Sequence, residues 1–272
     1  MSPDQNERYT VGYTDDAVDF FQHRRAATHA GFFLAHLRSG MSLLECGCGP
    51  GTITADLAEI VAPGRVVGVD IERSQIDLAR AHAENRELPN LSFEVANIYQ
   101  LPFSDGSFDA VFLHGVLEHL KAPQAALAEV RRVLKVGGVV GMRNGDWGGF
   151  LFAPTVPCLA HFFELLEKLI VHNGGNPHSG RDQLAELRAA GFDRIQASAS
   201  YDCWTPTREA TRAIASRLAN YCSSPDLIAQ VTTMGLADRS TIEKISAAFT
   251  QWGEHPGAFA AEAWGEAIAW KD

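Results

Sequence analysis

The sequence predicts an α/β protein in which a parallel sheet is covered by helices on both faces. Short β-branched runs alternate with helical stretches from about residue 41 to 143. A glycine-rich turn sits between the first of these runs and the first of these helices. Strands alternating with helices of this length form right-handed βαβ units, which place helices on both sides of the sheet.

Five strands are read in order: 42–46 (SLLEC), 65–70 (RVVGVD), 91–95 (LSFEV), 109–113 (DAVFL) and 138–143 (GVVGMR). Between them, 52–61, 74–87 and 123–134 read as helices. In the last of these, Leu127, Val130, Val133 and Leu134 recur at helical spacing. Ser74 suits an N-cap and Pro123 a first helical turn. Ahead of the sheet, 15–37 reads as one helix, with Asp15 and Asp16 favouring its N-terminus. After the fifth strand come a helix over 153–171, a turn-rich loop (NGGNPHSG), a helix over 181–190 and a sixth strand over 193–204. Two or three helices over 207–252 and a last strand over 259–270 complete the chain.

The 272 residues are 46% hydrophobic and 21% charged, which fits a globular chain and excludes disorder, collagen or a disulfide miniprotein. A net charge of −10 without a basic stripe argues against nucleic acid. Cys46, Cys48, Cys158, Cys203 and Cys222 are an odd, scattered set that forms neither a disulfide framework nor a zinc site. There is no apolar leader and no run approaching a membrane span, so the expectation is a reduced, cytoplasmic protein without membrane contact.

The turn after the first strand reads Glu45-Cys46-Gly47-Cys48-Gly49-Pro50-Gly51. Glycines at alternate positions leave a face of bare backbone against which a ligand can lie. In open α/β sheets that carboxyl edge is where ligands bind. Asp70 ends the second strand, 19 residues after Gly51, where a carboxylate can accept from both hydroxyls of a ribose. Nicotinamide and flavin folds use Gly-x-Gly-x-x-Gly, which seats a pyrophosphate on a helix N-terminus. Here the spacing is Gly-x-Gly-x-Gly, preceded by Glu45. A carboxylate there repels a pyrophosphate but suits a sulfonium or an ammonium group, which favours S-adenosyl-L-methionine over NAD.

Together the segments LLECGCGPGT, VVGVDIERSQIDLAR, ANIYQLPFSDGSFDAV, FLHGVLEHLKAP and EVRRVLKVGG resemble the class I S-adenosylmethionine-dependent methyltransferases. The likeness is to the small-molecule branch that includes ubiquinone and menaquinone biosynthesis and secondary-metabolite enzymes. MRNGDWGGF, GRDQLAELRAAGF and GEAIAWK extend it less specifically. The resemblance implies a Rossmann-like, doubly wound, mostly parallel seven-stranded sheet, with one antiparallel strand at the C-terminal hairpin. It divides the chain into an N-terminal helical lid (1–40), a cofactor-binding core (41–204), a helical insert or acceptor cap (205–258) and a C-terminal strand (259–272).

Residue by residue, the resemblance implies that Gly47, Gly49 and Gly51 pack under the cofactor. Glu45 orients the loop and the ammonium end, and Asp70 takes the ribose. Ile71 and Gln75 flank the adenine and ribose, while Asn97 and Ile98 stand beside the adenine. Most relatives have Asp at the Asn97 position; the amide can accept but brings no charge. His114, at the tip of the fourth strand, is expected beside the reactive methyl, as a cofactor contact or as a general base. His119 and Asp146 are the other catalytic candidates. Trp147 and Tyr13 are candidate substrate contacts, the segment holding Tyr9 and Tyr13 being one that folds over the cofactor in relatives. Arg181 reads as a helix-start residue.

The expected reaction is methyl transfer from S-adenosyl-L-methionine, leaving S-adenosyl-L-homocysteine, to an O, N or C atom of a small acceptor, with no metal. The sequence also admits a fold that binds the cofactor without transferring its methyl, or an NAD-dependent oxidoreductase. It leaves the acceptor and the oligomeric state open.

Overall fold

The computed structural model describes residues 8–84 and 86–272. Residues 1–7 of the expected lid, and the side chains of Asp15 and Asp16, lie outside what it describes. The five parallel strands are β1 (Leu43–Cys46), β2 (Val66–Asp70), β3 (Leu91–Val95), β4 (Phe108–His114) and β5 (Leu134–Gly145). The helices between them are α4 (Thr52–Val61), α5 (Arg73–Glu84) and α6 (Pro123–Val133). Strand order runs β3-β2-β1-β4-β5, then β8 (Phe259–Trp270). The side-chain alternation of the inner strands fills both faces. Leu44, Val111 and Leu113 join α6 in one core, while Leu43, Ala110 and Phe112 join α4 in the other.

β8 runs antiparallel to its neighbours and is gripped on both edges. Gly145–Val139 of β5 pair with 264–270 on one edge, and β7 (Arg194–Cys203) pairs along 261–270 on the other. The sheet holds eight strands rather than the seven expected. The additional one is β6 (Leu151–Ala153), which continues the β5 edge against residues 259–261. It occupies the start of the expected 153–171 helix, so α7 begins at Pro157 and ends at His172. A three-residue pairing is imposed by the partner strand, and it has no local pattern to reveal it.

The expected helix over 15–37 is three short ones: α1 (Asp15–Gln22), α2 (Ala26–His29) and α3 (Gly31–Leu34). Arg25 is extended between the first two (φ −135°, ψ 148°). The Ala26 N–H, freed by that break, donates to Asp56 Oδ2 on α4 at 2.9 Å. A distant carboxylate thus caps the second helix. At α5 the capping side chain is Glu72 rather than Ser74, whose own N–H donates to Glu72 Oε1 at 3.3 Å.

Beyond α8 (Ser179–Ala189) and β7, three helices form the insert: α9 (Arg208–Cys222), α10 (Pro225–Thr233) and α11 (Arg239–Gly253). Each has a side-chain N-cap: Thr207, Ser224 and Asp238 accept from the N–H groups of Ala210, Leu227 and Thr241. Their apolar faces meet α7 in a third core built on Phe162, Leu169, Ile214, Ile245 and Phe249. Among the described residues, no helix is long and apolar enough to cross a membrane.

α8 lies against β8 backbone to backbone. A Cβ on Gly265 would overlap the carbonyl of Gly180, and one on Gly180 would stand 2.7 Å from the Asn144 oxygen. Gly265→Ala is therefore expected to lower stability by about 1–3 kcal/mol, the usual cost of overpacking. Gly31→Ala, which meets no atom within 4 Å, should be neutral or mildly stabilising. Chemical denaturation midpoints of the two variants check this; equal behaviour would refute the close approach.

Candidate active site

The turn from β1 to α4 carries left-handed backbone at Gly47 (φ 71°), Gly49 (φ 51°) and Gly51 (φ 77°). A Cβ at Gly47 would stand 2.5 Å from Val116, and one at Gly51 2.7 Å from Ala79 and Phe93. Packing and dihedral both demand glycine there. A Cβ at Gly49 would meet nothing within 4 Å, so this peptide faces open space. Asp70 clasps the loop: its Oδ2 accepts from the Gly49 N–H and its Oδ1 from the Glu72 N–H, both at 2.9 Å. Each oxygen keeps a lone pair for a ligand. Burial raises the Asp70 carboxyl above its usual range, although its backbone hydrogen bonds oppose the rise.

These elements wall a cavity of about 580 Å³ at the carboxyl edge of the sheet. It gathers Glu45, Gly47, Gly49, Asp70, Ile71, Gln75, Ile98, His114, His119 and Tyr13 from the sequence-read candidates. Glu45 is buried, and burial pushes its carboxyl up to about 8. Its Oε2 and the Oε1 of buried Gln75 have no hydrogen-bond partner. Two orphaned acceptors in one cavity wall are a cost unless a ligand donates to them.

Two candidates stand elsewhere. Gly51 sits behind the loop as the N-terminal residue of α4 and does not line the cavity. Asn97 spends its amide oxygen on the Tyr99 N–H at 2.9 Å and is also absent from the lining.

A second, smaller cavity of about 190 Å³ lies beside the first. Tyr9, Phe21, Arg24, Gly115 and His119 line both and form the partition between them. Its far walls are α7, α9 and β8, with Phe163, Trp204, Ile214 and Trp264 among the lining. Trp147 lines this chamber, whereas Tyr13 lines only the first.

Two of the catalytic candidates have surroundings that bear on their roles. His114 Nε2 lies 3.0 Å from an Arg143 nitrogen, and Nδ1 lies 3.5 Å from an Arg24 nitrogen. Burial and the two guanidiniums hold the imidazole well below its usual pKa. Taking a proton would set a third cation between them, so His114 is a neutral acceptor rather than a base. Asp146 lines neither cavity. It is held by Arg181, whose Nε and a terminal nitrogen donate to Oδ2 at 2.6 Å and Oδ1 at 2.5 Å. His119 does lie in the partition, edge-on to the Tyr9 ring at 4.6 Å, with Nδ1 unpartnered. Burial pushes its pKa down to about 3, so it too is neutral.

Four charged residues here went unread in the sequence. Arg143 is fully buried at the end of β5, bound to Asp202 through 3.0 and 2.7 Å contacts and stacked on Trp264 at 4.5 Å. Arg24 lies over the Phe21 ring at 4.6 Å. Glu118 Oε1 accepts from the Gly145 N–H at 3.2 Å, leaving Oε2 unpartnered, and burial lifts this carboxyl to about 7. Glu262 is buried in the chamber wall, and burial lifts it to about 8. The available signal was position for three of them: Arg143 lies near the end of β5, Arg24 between α1 and α2, and Glu118 just after β4; Glu262, inside β8, carried none.

The model of a methyltransferase domain family matches residues 37–173, half of the chain. The uncharacterized methyltransferase C1B3.06c of Schizosaccharomyces pombe is 32% identical over 228 residues, 80% of this chain and 81% of that one. This chain belongs to that methyltransferase family. The probable methyltransferase ltbC of Aspergillus luteorubrus is 36% identical over 152 residues, a match spanning about half of each chain (53% and 53%). Among solved structures, the YcgJ protein of Bacillus subtilis superposes with a TM-score of 0.57 at 19% identity, over 89% of this chain and 97% of that one. That likeness bears on the fold. The methyltransferase fold here is Rossmann-like, and S-adenosyl-L-methionine is the cofactor the family implies. The donor set fits it: an unpaired buried carboxyl for a cation, spare carboxylate lone pairs for hydroxyls, and bare glycine backbone between them.

Glu45 also makes a prediction about stability. Its native value of about 8 lies above the roughly 4.3 of an unfolded glutamate. Between those values the native chain holds a proton that the unfolded chain has released, so this carboxyl's contribution falls as pH rises from about 4 to about 8. Glu45→Gln should raise the thermal midpoint at pH 8 and leave it nearly unchanged at pH 4. Paired melts at the two pH values test this; a variant less stable than the parent at pH 8 would contradict the burial of an unpaired acid.

Proposed function

We propose that this chain transfers the methyl group of S-adenosyl-L-methionine to a small organic acceptor held in the second cavity. The observation that carries the reading is the pair of adjoining cavities, one with a cradle of donor-binding character and one walled by aromatic rings. They share a partition of five residues. When bound, the cofactor supplies a methyl group made electrophilic by a sulfonium.

In this reading Asp70 takes the ribose hydroxyls, Glu45 the ammonium group, and Ile71, Gln75 and Ile98 the adenosine flank. His114, fixed as a neutral ring by its guanidinium neighbours, shapes the end of β4 where the two ligands meet. The enzyme's work is mainly alignment: two reactants held on either side of one partition react as if at very high effective concentration. The aromatic walls keep water from competing as acceptor.

The two flanking segments complete the site. Residues 8–14 act as the lid, held to the insert by the Arg8–Asp226 ion pair and by the Tyr221 hydroxyl donating to the Thr10 carbonyl at 3.0 Å. Residues 205–258 act as the acceptor cap, because Ile214, Arg217 and Leu218 of α9 line the second cavity. The loop spacing and the unpaired Glu45 disfavour NAD. Formation of S-adenosyl-L-homocysteine on addition of acceptor separates transfer from mere cofactor binding.

Asp70→Ala removes a carboxylate that hydrogen-bonds at about 1.5–3 kcal/mol per charged bond. Calorimetry should show donor affinity falling at least tenfold in a folded variant; unchanged affinity removes Asp70 from the site. Ile214→Trp should fill the second cavity, abolishing acceptor turnover with donor affinity within threefold of the parent. Loss of donor binding instead would show that the two cavities are one site.

A further inference from the structure

Several polar groups lining the second cavity lack a protein partner, among them Glu118 Oε2, His119 Nδ1 and the indole nitrogens of Trp204 and Trp264, and Glu262 brings a carboxyl to the same wall. Glu262 is 8% exposed, lines the cavity, and makes no hydrogen bond or ion pair among the described residues. It leads the alternating row Glu262, Trp264, Glu266, Ile268 on one face of β8. Its companion Glu266 is fully used: Ser198 and Ser200 hydroxyls donate to it at 2.7 and 2.6 Å, and Arg143 lies 3.5 Å away. The other acid of the chamber, Glu118, is tethered to the Gly145 N–H at 3.2 Å. Of the three, Glu262 is the one with no protein tether on either oxygen among the described residues, whereas Glu118 keeps only its Oε2 open; a buried carboxyl is costly to keep idle.

The surroundings indicate what it faces. Rings of Phe20, Phe163, Trp204 and Trp264 wall the cavity, which favours a flat aromatic acceptor. Arg24 stands in the partition and pairs with no carboxylate among the described residues; its contacts are His114 and the rings of Phe20, Phe21 and Trp264. A guanidinium beside the transfer point repels an ammonium and stabilises an oxyanion.

We infer that Glu262 is the proton acceptor for methyl transfer to a hydroxyl-bearing aromatic acceptor in this cavity. The inference rests on the proposed methyl transfer. The acceptor's O–H bond breaks, and its proton passes to a Glu262 carboxylate oxygen. An O–CH3 bond forms as the S–CH3 bond breaks, and that electron pair stays on sulfur as a neutral thioether. Arg24 offsets the charge that builds on the acceptor oxygen, and Glu262 returns its proton to water as product leaves. Burial raises Glu262 to about 8, with Glu118 and Asp202 pushing it up and Arg24 and Arg143 pulling it down. A base in that range is well matched to a phenol.

The test uses the full chain with S-adenosyl-L-methionine and two probes, 4-methoxyphenol and 4-nitrophenol, reading S-adenosyl-L-homocysteine at pH 8. The second phenol is already largely ionised there and needs no base. Glu262→Gln should slow 4-methoxyphenol by about 10²–10⁴-fold and 4-nitrophenol by less than tenfold, with donor affinity unchanged. The parent rate with 4-methoxyphenol should rise up to about pH 8 and level off above it, whereas ionisation of the phenol alone would keep it climbing about tenfold per pH unit through pH 9; this readout serves even if the Gln variant fails to fold. Equal loss for both phenols, a flat pH profile, or the same selective loss in Glu118→Gln with none in Glu262→Gln overturns the assignment. So does a chain that binds the donor yet turns over neither phenol. Failure to bind the donor at all would instead sink the proposed methyl transfer.

Discussion

A buried guanidinium organises the functional end of this molecule. Arg143 is 1% exposed, and burying such a charge is tolerated only when every donor is met. Here Asp202 takes two donors in a fork, the Ser200 hydroxyl stands 3.1 Å from a third, His114 accepts from one side, and Trp264 covers the face. Those partners come from β4, β7 and β8, so one side chain on β5 locks four strands in register at the carboxyl edge. Removing one partner of such a set typically costs about 3–5 kcal/mol, because the remaining charges stay buried. The same lock decides chemistry. It holds the imidazole of His114 in its neutral form, and so leaves any proton-accepting role to another group of the site.

Around that rigid centre, three acids that line the two cavities stand in unfavourable positions. Burial lifts Glu45, Glu118 and Glu262 to between about 7 and 8, and none has a cation within ion-pair distance among the described residues. A chain selected for stability alone would replace them with amides or apolar residues. Sites where local rules are broken without local compensation are where function is expected. Their distribution matches the two cavities: Glu45 in the first, Glu118 and Glu262 in the second.

The cofactor half of the site was legible because its determinants are local. Gly47, Gly49 and Gly51 are read from adjacent positions, and Asp70 from one βα unit's length; the structure joins them through the Gly49 N–H. The second half depends on residues distant in sequence. His114 looked like a base because its neighbours Arg24 and Arg143 lie 90 and 29 positions away. Asp146 looked free because Arg181 is 35 positions on. Glu262 sits inside the last strand, a context in which a lone acid carries no motif. The break in the N-terminal helix at Arg25 escaped for the same reason, since the cap that satisfies Ala26 is Asp56 on another helix.

The contacts that close the site differ in strength from those that shape it. Residues 8–14 cross between the cavities, with the Tyr9 ring tilted against Tyr13 at 5.0 Å and edge-on to His119. Their ties to the rest of the chain are few. The Arg8–Asp226 pair is about half exposed, 49% and 58%, and such pairs contribute about 0–1 kcal/mol. The Thr10 carbonyl and hydroxyl add two hydrogen bonds, from Tyr221 and Asn173, at about 1 kcal/mol each. The strands behind the cavities, by contrast, are held by the Arg143 lock and by Gly180 against Gly265. Displacing the strap therefore costs about a few kcal/mol, whereas displacing the sheet costs the fold.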